Sequence, residues 1–245
     1  MKGVVLAGGI GSRLYPLTKI INKHLLPLYK KPMIYYPITT LVEAGINEIM
    51  VVCGGRSAGE FLRLLGSGGE FGLKHLNYAY QEREGGIAEA LGLAEYFVGN
   101  DKVVVILGDN LFGGCIKKFV EEFKKQSSGA RILLKEVENP SDYGVARLSG
   151  GKIIDIVEKP SSPPSKFAVV GLYMYDSDVF KYIKELKPSA RKELEITDIN
   201  NRYIKEGKLE YDILSDWWID AGASLEAYYR AVGWVASLEE GKELF

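Results

Sequence analysis

Short apolar runs and helix-patterned segments alternate through the first half of this chain, and a polypeptide built that way has few ways to bury itself. Val4, Val5, Leu6 and Ala7 form a run that stops at Gly8-Gly9. Residues 48–53 (EIMVVC) and 102–107 (KVVVIL) repeat the pattern, the last stopped by Gly108. Between them, residues 33–44, 57–65 and 86–97 read as helices, and residues 75–81 alternate like a strand. Buried strands separated by helices predict an α/β fold: a mostly parallel sheet with helices on both faces and right-handed crossovers.

The second half changes character. Residues 131–137, 143–148, 152–157 and 167–175 read as strands joined by short turns, and helical pattern returns only from about Ser177. Asn139-Pro140-Ser141-Asp142 and Ser161-Ser162-Pro163-Pro164 read as loops. Neither a linker nor a repeat separates the halves. The expectation is one domain over residues 1–245, with one lobe to about residue 130 and a mixed-sheet lobe after it.

Composition removes several function classes. A net charge of −1 leaves no basic excess for a nucleic-acid surface. The chain opens Met1-Lys2-Gly3 and enters a strand without a secretory leader, and no apolar run reaches about 18 residues, so neither export nor membrane insertion is expected. Cys53 and Cys115 give no disulfide framework; both are expected buried, in a reducing cytoplasm.

Five segments carry chemistry. Gly8-Gly9-Ile10-Gly11-Ser12-Arg13, following Leu6-Ala7, is a turn whose successive N–H groups can cradle an anion, with the fork of Arg13 added. It is neither a P-loop, since no Gly-Lys-Ser/Thr follows, nor a dinucleotide fingerprint, since Leu14 stands at the third glycine position. Lys23 lies close enough in sequence to fold back onto the same phosphates. Asp109 and Asn110 follow the 102–107 strand, and Gln81 ends the 75–81 strand, so the turn, Gln81 and Asp109 share the carboxyl edge of one sheet. Glu158-Lys159-Pro160 ends another strand. Trp217-Trp218-Ile219-Asp220-Ala221-Gly222 precedes a helix; Asp220 reads as a helix cap or a metal ligand, and the tryptophans as packing. His24 and His75 are expected to be structural or peripheral.

Taken in order, Gly-Gly-x-Gly-Ser-Arg-Leu, Lys-x-Leu-Leu-Pro, Leu-Gly-Asp-Asn, Tyr143-Gly144, Glu158-Lys159-Pro160 and Asp220-x-Gly222 resemble the sugar-phosphate nucleotidyltransferases. The stretches 31–37 and 186–200 are similar to the glucose-1-phosphate thymidylyltransferase group of that family. The resemblance implies a Rossmann-like sheet with a sugar-binding lobe, and attack of a sugar-1-phosphate on the α-phosphorus of a nucleoside triphosphate. It implies that Leu6, Gly8, Gly9, Gly11, Ser12, Arg13, Lys23, Gln81 and Gly86 bind the nucleotide. It implies Asn110, Tyr143, Gly144, Glu158, Lys159 and Val170 at the sugar phosphate, and Arg13, Lys23 and Lys159 as catalytic cations. Asp109 and Asp220 would ligate Mg²⁺. The nucleotide implied is dTTP and the sugar glucose, with a uridylyl- or cytidylyltransferase, or a non-catalytic nucleotide-sugar sensor, as alternatives. Ile10, His24, Ala221 and Val170 depart from the residues common in the family. Longer relatives continue into a helical segment that contributes oligomer contacts and a regulatory site, so feedback inhibition of the family type is not expected. The aromatic helices around Tyr35 and Tyr36, and around Tyr228, Tyr229 and Trp234, are candidates either for core or for a homo-oligomer contact.

Overall fold

The computed structural model describes residues 1–240, the side chain of Arg56 excepted. The chain begins with β1 (Lys2–Ala7) and, after a loop, a small ribbon of β2 (Pro27–Leu28) and β3 (Lys31–Pro32). Helix α1 (Tyr35–Glu43), β4 (Ile49–Gly54), α2 (Ala58–Leu65) and β5 (Leu76–Gln81) follow. The predicted helix over 86–97 is two, α3 (Ile87–Gly92) and α4 (Glu95–Val98), because Gly92, a poor helix former, closes the first. Then come β6 (Val103–Leu107), β7 (Asn110–Phe112), α5 (Lys117–Lys125), β8 (Ala130–Glu136), β9 (Gly144–Ser149), β10 (Lys152–Glu158) and β11 (Phe167–Tyr175). The described chain ends with α6 (Asp178–Glu185), α7 (Ile196–Lys205), β12 (Leu209–Ile213), β13 (Trp218–Asp220) and α8 (Leu225–Glu240).

Strands β5, β4, β1 and β6 are parallel neighbours, as the alternating pattern predicts. Alternate residues of β1 feed two cores: Val4 and Leu6 pack with Leu91, Tyr175 and Tyr203 on one face, Val5 and Ala7 with Ile38, Phe61 and Phe123 on the other. A third cluster, under α8, gathers Leu14, Met33, Leu111 and Tyr228. Tyr228 is therefore core, and its hydroxyl donates to the carbonyl oxygen of Pro27 at 2.7 Å; Tyr229 is exposed. Cys53 is buried, but Cys115 is exposed, because it follows Gly113-Gly114 in a surface bend rather than standing in an apolar run. No helix among the described residues is long and apolar enough to cross a membrane.

The second half extends the same sheet. Strand β11 runs antiparallel to β6 through Leu172–Tyr175 and meets β9 through Ala168, while β8 pairs along its other edge through Phe167–Val169 and Tyr173–Tyr175. The register along β8 shifts between Val169 and Tyr173. One edge of β11 thus passes from β6 to β9 around Val170–Gly171, and the end of β6 parts there from the start of β9. That parting opens a cleft in the sheet.

Candidate active site

At the carboxyl edge, β1 ends in the glycine turn. Gly11 adopts a left-handed φ of 73°, and a Cβ there would stand 2.8 Å from the Cβ of Lys23, so a side chain is excluded twice. Residues 12–25 curl back over the turn through short 3₁₀ turns. Thr18 donates its hydroxyl to the carbonyl of Gly11 at 2.8 Å, and Asn22 its amide to that of Gly9 at 3.3 Å. This return brings Lys23 to the sheet edge, where its ammonium pairs with Oδ2 of Asp109.

Asp109 arrives from β6. Gly108 N–H donates to the carbonyl of Leu6 at 2.8 Å, and the chain turns directly into β7. Strand β13 pairs antiparallel with β7, setting Asp220 opposite Asn110. Two aspartates more than a hundred residues apart in sequence thereby become neighbours. Oδ1 of Asp220 accepts from Gly222 N–H at 3.0 Å. Gly222 has no room for a Cβ, which would lie 2.1 Å from Oδ2 of Asp109.

The electrostatics follow from this crowding. Burial alone would raise the Asp109 carboxyl, but Lys23, His24 and the Asn110 hydrogen bond outweigh it and hold it below the usual carboxylate range. Burial and then the charge of Asp109 push Asp220 up. Burial opposes the Lys23 ammonium, yet Asp109 and Asp220 more than offset it and the net direction is up. Burial, reinforced by Lys23, drives His24 down to about 3, so its imidazole is neutral; Nδ1 lies 2.8 Å from Oδ1 of Asn22. His75 is exposed and distant from the cluster in the sheet order, at the start of β5. Two carboxylates that repel each other, one of them hydrogen-bonded among the described residues only by a turn N–H, are a donor set suited to a divalent cation. A hard cation here would complete its shell from phosphate oxygens and water, because no third His, Cys, Asp or Glu joins them among the described residues.

Two clefts meet at this cluster. The first is lined by Leu6, Gly8, Gly9, Gly11, Ser12, Arg13, Lys23, Gln81 and Gly86, with Asp109 and Asp220 at its inner end. The second occupies the parting beside β11 and is lined by Asn110, Tyr143, Gly144, Glu158 and Lys159. Arg13, Lys159, Glu193 and Asp220 belong to both walls, with Ile87 and Leu107 between them. In the second cleft Oε2 of Glu158 accepts from the Thr197 hydroxyl at 2.5 Å, and Oε1 accepts from Arg191 at 3.1 Å. Lys159 sits at a left-handed φ of 41°, uncommon for a residue with a side chain, and its N–H donates to the carbonyl of Tyr143 at 3.0 Å. Burial and the nearby Arg191 lower the Lys159 ammonium. Asn110 is only 1% exposed: Oδ1 accepts from Gly171 N–H at 3.1 Å and from Trp218 Nε1 at 2.7 Å, and Nδ2 donates to Asp109 at 3.0 Å.

The sequence reading misplaces one residue and omits several. Val170 is fully buried in the core on the opposite face of β11; its neighbours Val169 and Gly171 line the cleft instead, because side chains alternate along a strand. Trp218, read as packing, lines the cleft and meets Tyr143 edge-on with ring centroids 5.2 Å apart. Arg191, Glu193 and Thr197 also line it. They fall within 186–200, where the dense Arg-Lys-Glu-Leu-Glu run just before α7 is the signal in the sequence that could reveal them.

Comparison with known proteins agrees with this architecture. The nucleotidyl transferase family model matches residues 2–236. A curated glucose-1-phosphate thymidylyltransferase of Neisseria meningitidis is 42% identical over the whole of this chain and 85% of its own length. A crystal structure of a Bacillus anthracis protein assigned as a glucose-1-phosphate thymidylyltransferase, in complex with sucrose, superposes with a TM-score of 0.91 at 55% identity, over 95% of this chain and 94% of that one. A UDP-glucose pyrophosphorylase with bound UDP-glucose superposes at 0.84 with 27% identity, over 96% of this chain and 98% of that one.

Proposed function

The chain belongs to the nucleotidyl transferase family, and we propose that it transfers the nucleotidyl group of dTTP to glucose-1-phosphate, giving dTDP-glucose and pyrophosphate. The observation that carries the reading is the pair of clefts with a common wall, which Arg13, Lys159, Glu193 and Asp220 form together with Ile87 and Leu107. A group transfer between two bound molecules needs that layout, with the reacting atoms meeting at the wall and each substrate held in its own cleft.

The glycine turn, Ser12 and Arg13 take the triphosphate, and Gln81 and Gly86 the nucleoside. Glu158 accepts hydrogen bonds from sugar hydroxyls, and Lys159, with Arg191 beside Glu158, meets the sugar's phosphate. The attacking phosphate is mostly ionised near neutral pH, since its second pKa is about 6, so no general base is required. The neutral, fully buried His24 accords with that. What remains is to bring two polyanions together in line, which is a task of positioning and charge neutralisation. Arg13 and Lys23 offset charge at the α-phosphate and the leaving pyrophosphate. Asp109 and Asp220 would hold Mg²⁺, which when bound screens the phosphate oxygens and favours departure of pyrophosphate. Lys23, pinned by Asp109, keeps its ammonium at the same place.

Pyrophosphate release with glucose-1-phosphate and Mg²⁺, run against dTTP, UTP, CTP, ATP and GTP, tests the reading. Turnover is expected to be highest with dTTP. A protein that releases no pyrophosphate with any triphosphate across several sugar phosphates is not a transferase. The likeness to UDP-glucose pyrophosphorylase keeps UTP as the second reading. Thymine and uracil differ by one methyl group, which burial favours by only about 0.8 kcal/mol.

A further inference from the structure

Gln81 closes β5 with its side chain buried against the glycine turn. On one side its terminal carboxamide meets two acceptors: Nε2 donates to the carbonyl oxygen of Gly86 at 3.4 Å and to Oε1 of Glu89 at 3.3 Å. Neither a backbone carbonyl nor a carboxylate can donate, so the nitrogen must lie on that side and the amide cannot be reversed without setting oxygen against oxygen. The carbonyl Oε1 of Gln81 points the other way, 2.3 Å from where a Cβ on Gly8 would stand, at the lip of the nucleotide cleft.

Glu89 is itself held. It stands in the first turn of α3, where a carboxylate suits the helix dipole. Arg83 clamps its Oε2 from outside, through Nε at 3.3 Å and Nη2 at 3.3 Å. Its carboxylate packs over Gly85, where a Cβ would lie 2.0 Å from Oε2.

We infer that Glu89 is a positioning residue that holds the Gln81 carboxamide with its carbonyl oxygen toward the nucleotide cleft, and so selects a base that presents a ring N–H over cytosine. Thymine and uracil carry a hydrogen at N3 and can donate to that oxygen. Neutral cytosine carries a lone pair at N3 and sets it against the oxygen. A buried site built to receive an N–H rejects an isostere that lacks it far more strongly than a site that merely fits its shape. The inference rests on the proposal that Gln81 meets the base, and it narrows the acceptable triphosphates to those with an imino donor.

The test compares kcat/KM for dUTP and dCTP, which share a sugar and nearly a shape and differ at N3 and its neighbouring substituent. Where dCTP turnover is too slow to follow, its inhibition constant against dUTP replaces it. In Glu89→Ala only the Gly86 carbonyl remains to orient the amide, and the dUTP/dCTP ratio is expected to fall at least tenfold. The dTTP/dUTP ratio, between two N3–H donors, is expected to stay within about twofold. Glu89→Gln, which keeps an acceptor in reach, is expected to retain most of the discrimination. If Glu89→Ala lowers dUTP and dCTP in parallel, its role is structural and the inference fails. Gln81→Ala separates the two layers of the argument. If it leaves the wild-type dUTP/dCTP ratio intact, Gln81 does not read the base at all. If it collapses the ratio while Glu89→Ala does not, base reading stands and the orienting role of Glu89 falls.

Discussion

Gly222 has no room for a side chain beside the aspartates. A Cβ there would stand 2.1 Å from Oδ2 of Asp109 and 2.9 Å from Nζ of Lys23, so alanine must displace the Asp109–Lys23 pair. Gly222→Ala is expected to lower kcat by about 10²–10³-fold, the scale for losing one preorganised charge contact, while circular dichroism stays that of the parent. An activity within a few-fold of wild type would show that the pair tolerates movement. Asp109→Asn and Asp220→Asn probe the same cluster from the carboxylate side. Each removes one charge from the proposed Mg²⁺ site, so each is expected to shift half-saturation by Mg²⁺ upward by at least about tenfold. Full Mg²⁺-dependent activity in both would remove the metal assignment.

Strand β11 shows how an element divides labour between neighbours. Val169 faces the sugar-side cleft, and Val170 faces the core with Val104 and Ile106. Val170→Ala is expected to cost about 2 kcal/mol of stability in a denaturant titration, from two lost methyl carbons and the space they leave, with KM for glucose-1-phosphate unchanged. Val169→Phe is expected to raise that KM and, because Val169 is also packed in the core on its own face of the strand, to cost about 1–3 kcal/mol of stability as well. The turn after β10 gives a pH prediction. Burial and Arg191 lower the Lys159 ammonium, so its charge is lost on the alkaline side earlier than for a free lysine. The KM for glucose-1-phosphate should therefore climb on the alkaline side, beginning at lower pH than a free lysine would give, and Lys159→Arg, whose guanidinium stays charged, should flatten the climb. These elements also show what sequence can convey. The parallel core was legible because β1, β4 and β6 are continuous apolar runs broken by glycine. The nucleotide cleft was legible because its residues sit at strand ends, where position along the chain predicts position in space. The sugar-side cleft was legible only through the family resemblance, which names Asn110, Tyr143, Gly144, Glu158 and Lys159; its shape and its Arg191, Glu193 and Thr197 side were not. It depends on a register shift within β11 that periodicity does not record, and on a loop, 186–195, whose charges acquire meaning only from Glu158 opposite. Ribbon β7–β13 was missed for a similar reason: three-residue strands carry too short a pattern to read.

Across the whole molecule, the two clefts are tied by more than a common wall. Leu194 N–H donates to the carbonyl of Gly85 at 2.7 Å, and Ala88 N–H to the carbonyl of Leu194 at 3.2 Å, so the loop that carries Arg191 and Glu193 is stitched to the start of α3 beneath Gln81 and Glu89. Arg13 tests this joint architecture most directly, because it lines both clefts while Ser12 lines only the nucleotide side and Thr197 only the sugar side. Arg13→Ala is expected to lower kcat/KM at least about 100-fold whichever substrate is varied, since its charge faces the place where the two anions approach. Ser12→Ala is expected to move only the triphosphate KM, and Thr197→Val, which frees Oε2 of Glu158, only the sugar-phosphate KM. Paired titrations, varying each substrate at saturation of the other, separate these patterns. If Arg13→Ala raises one KM alone and spares kcat, the two clefts bind independently, and their common wall is packing rather than the place of reaction.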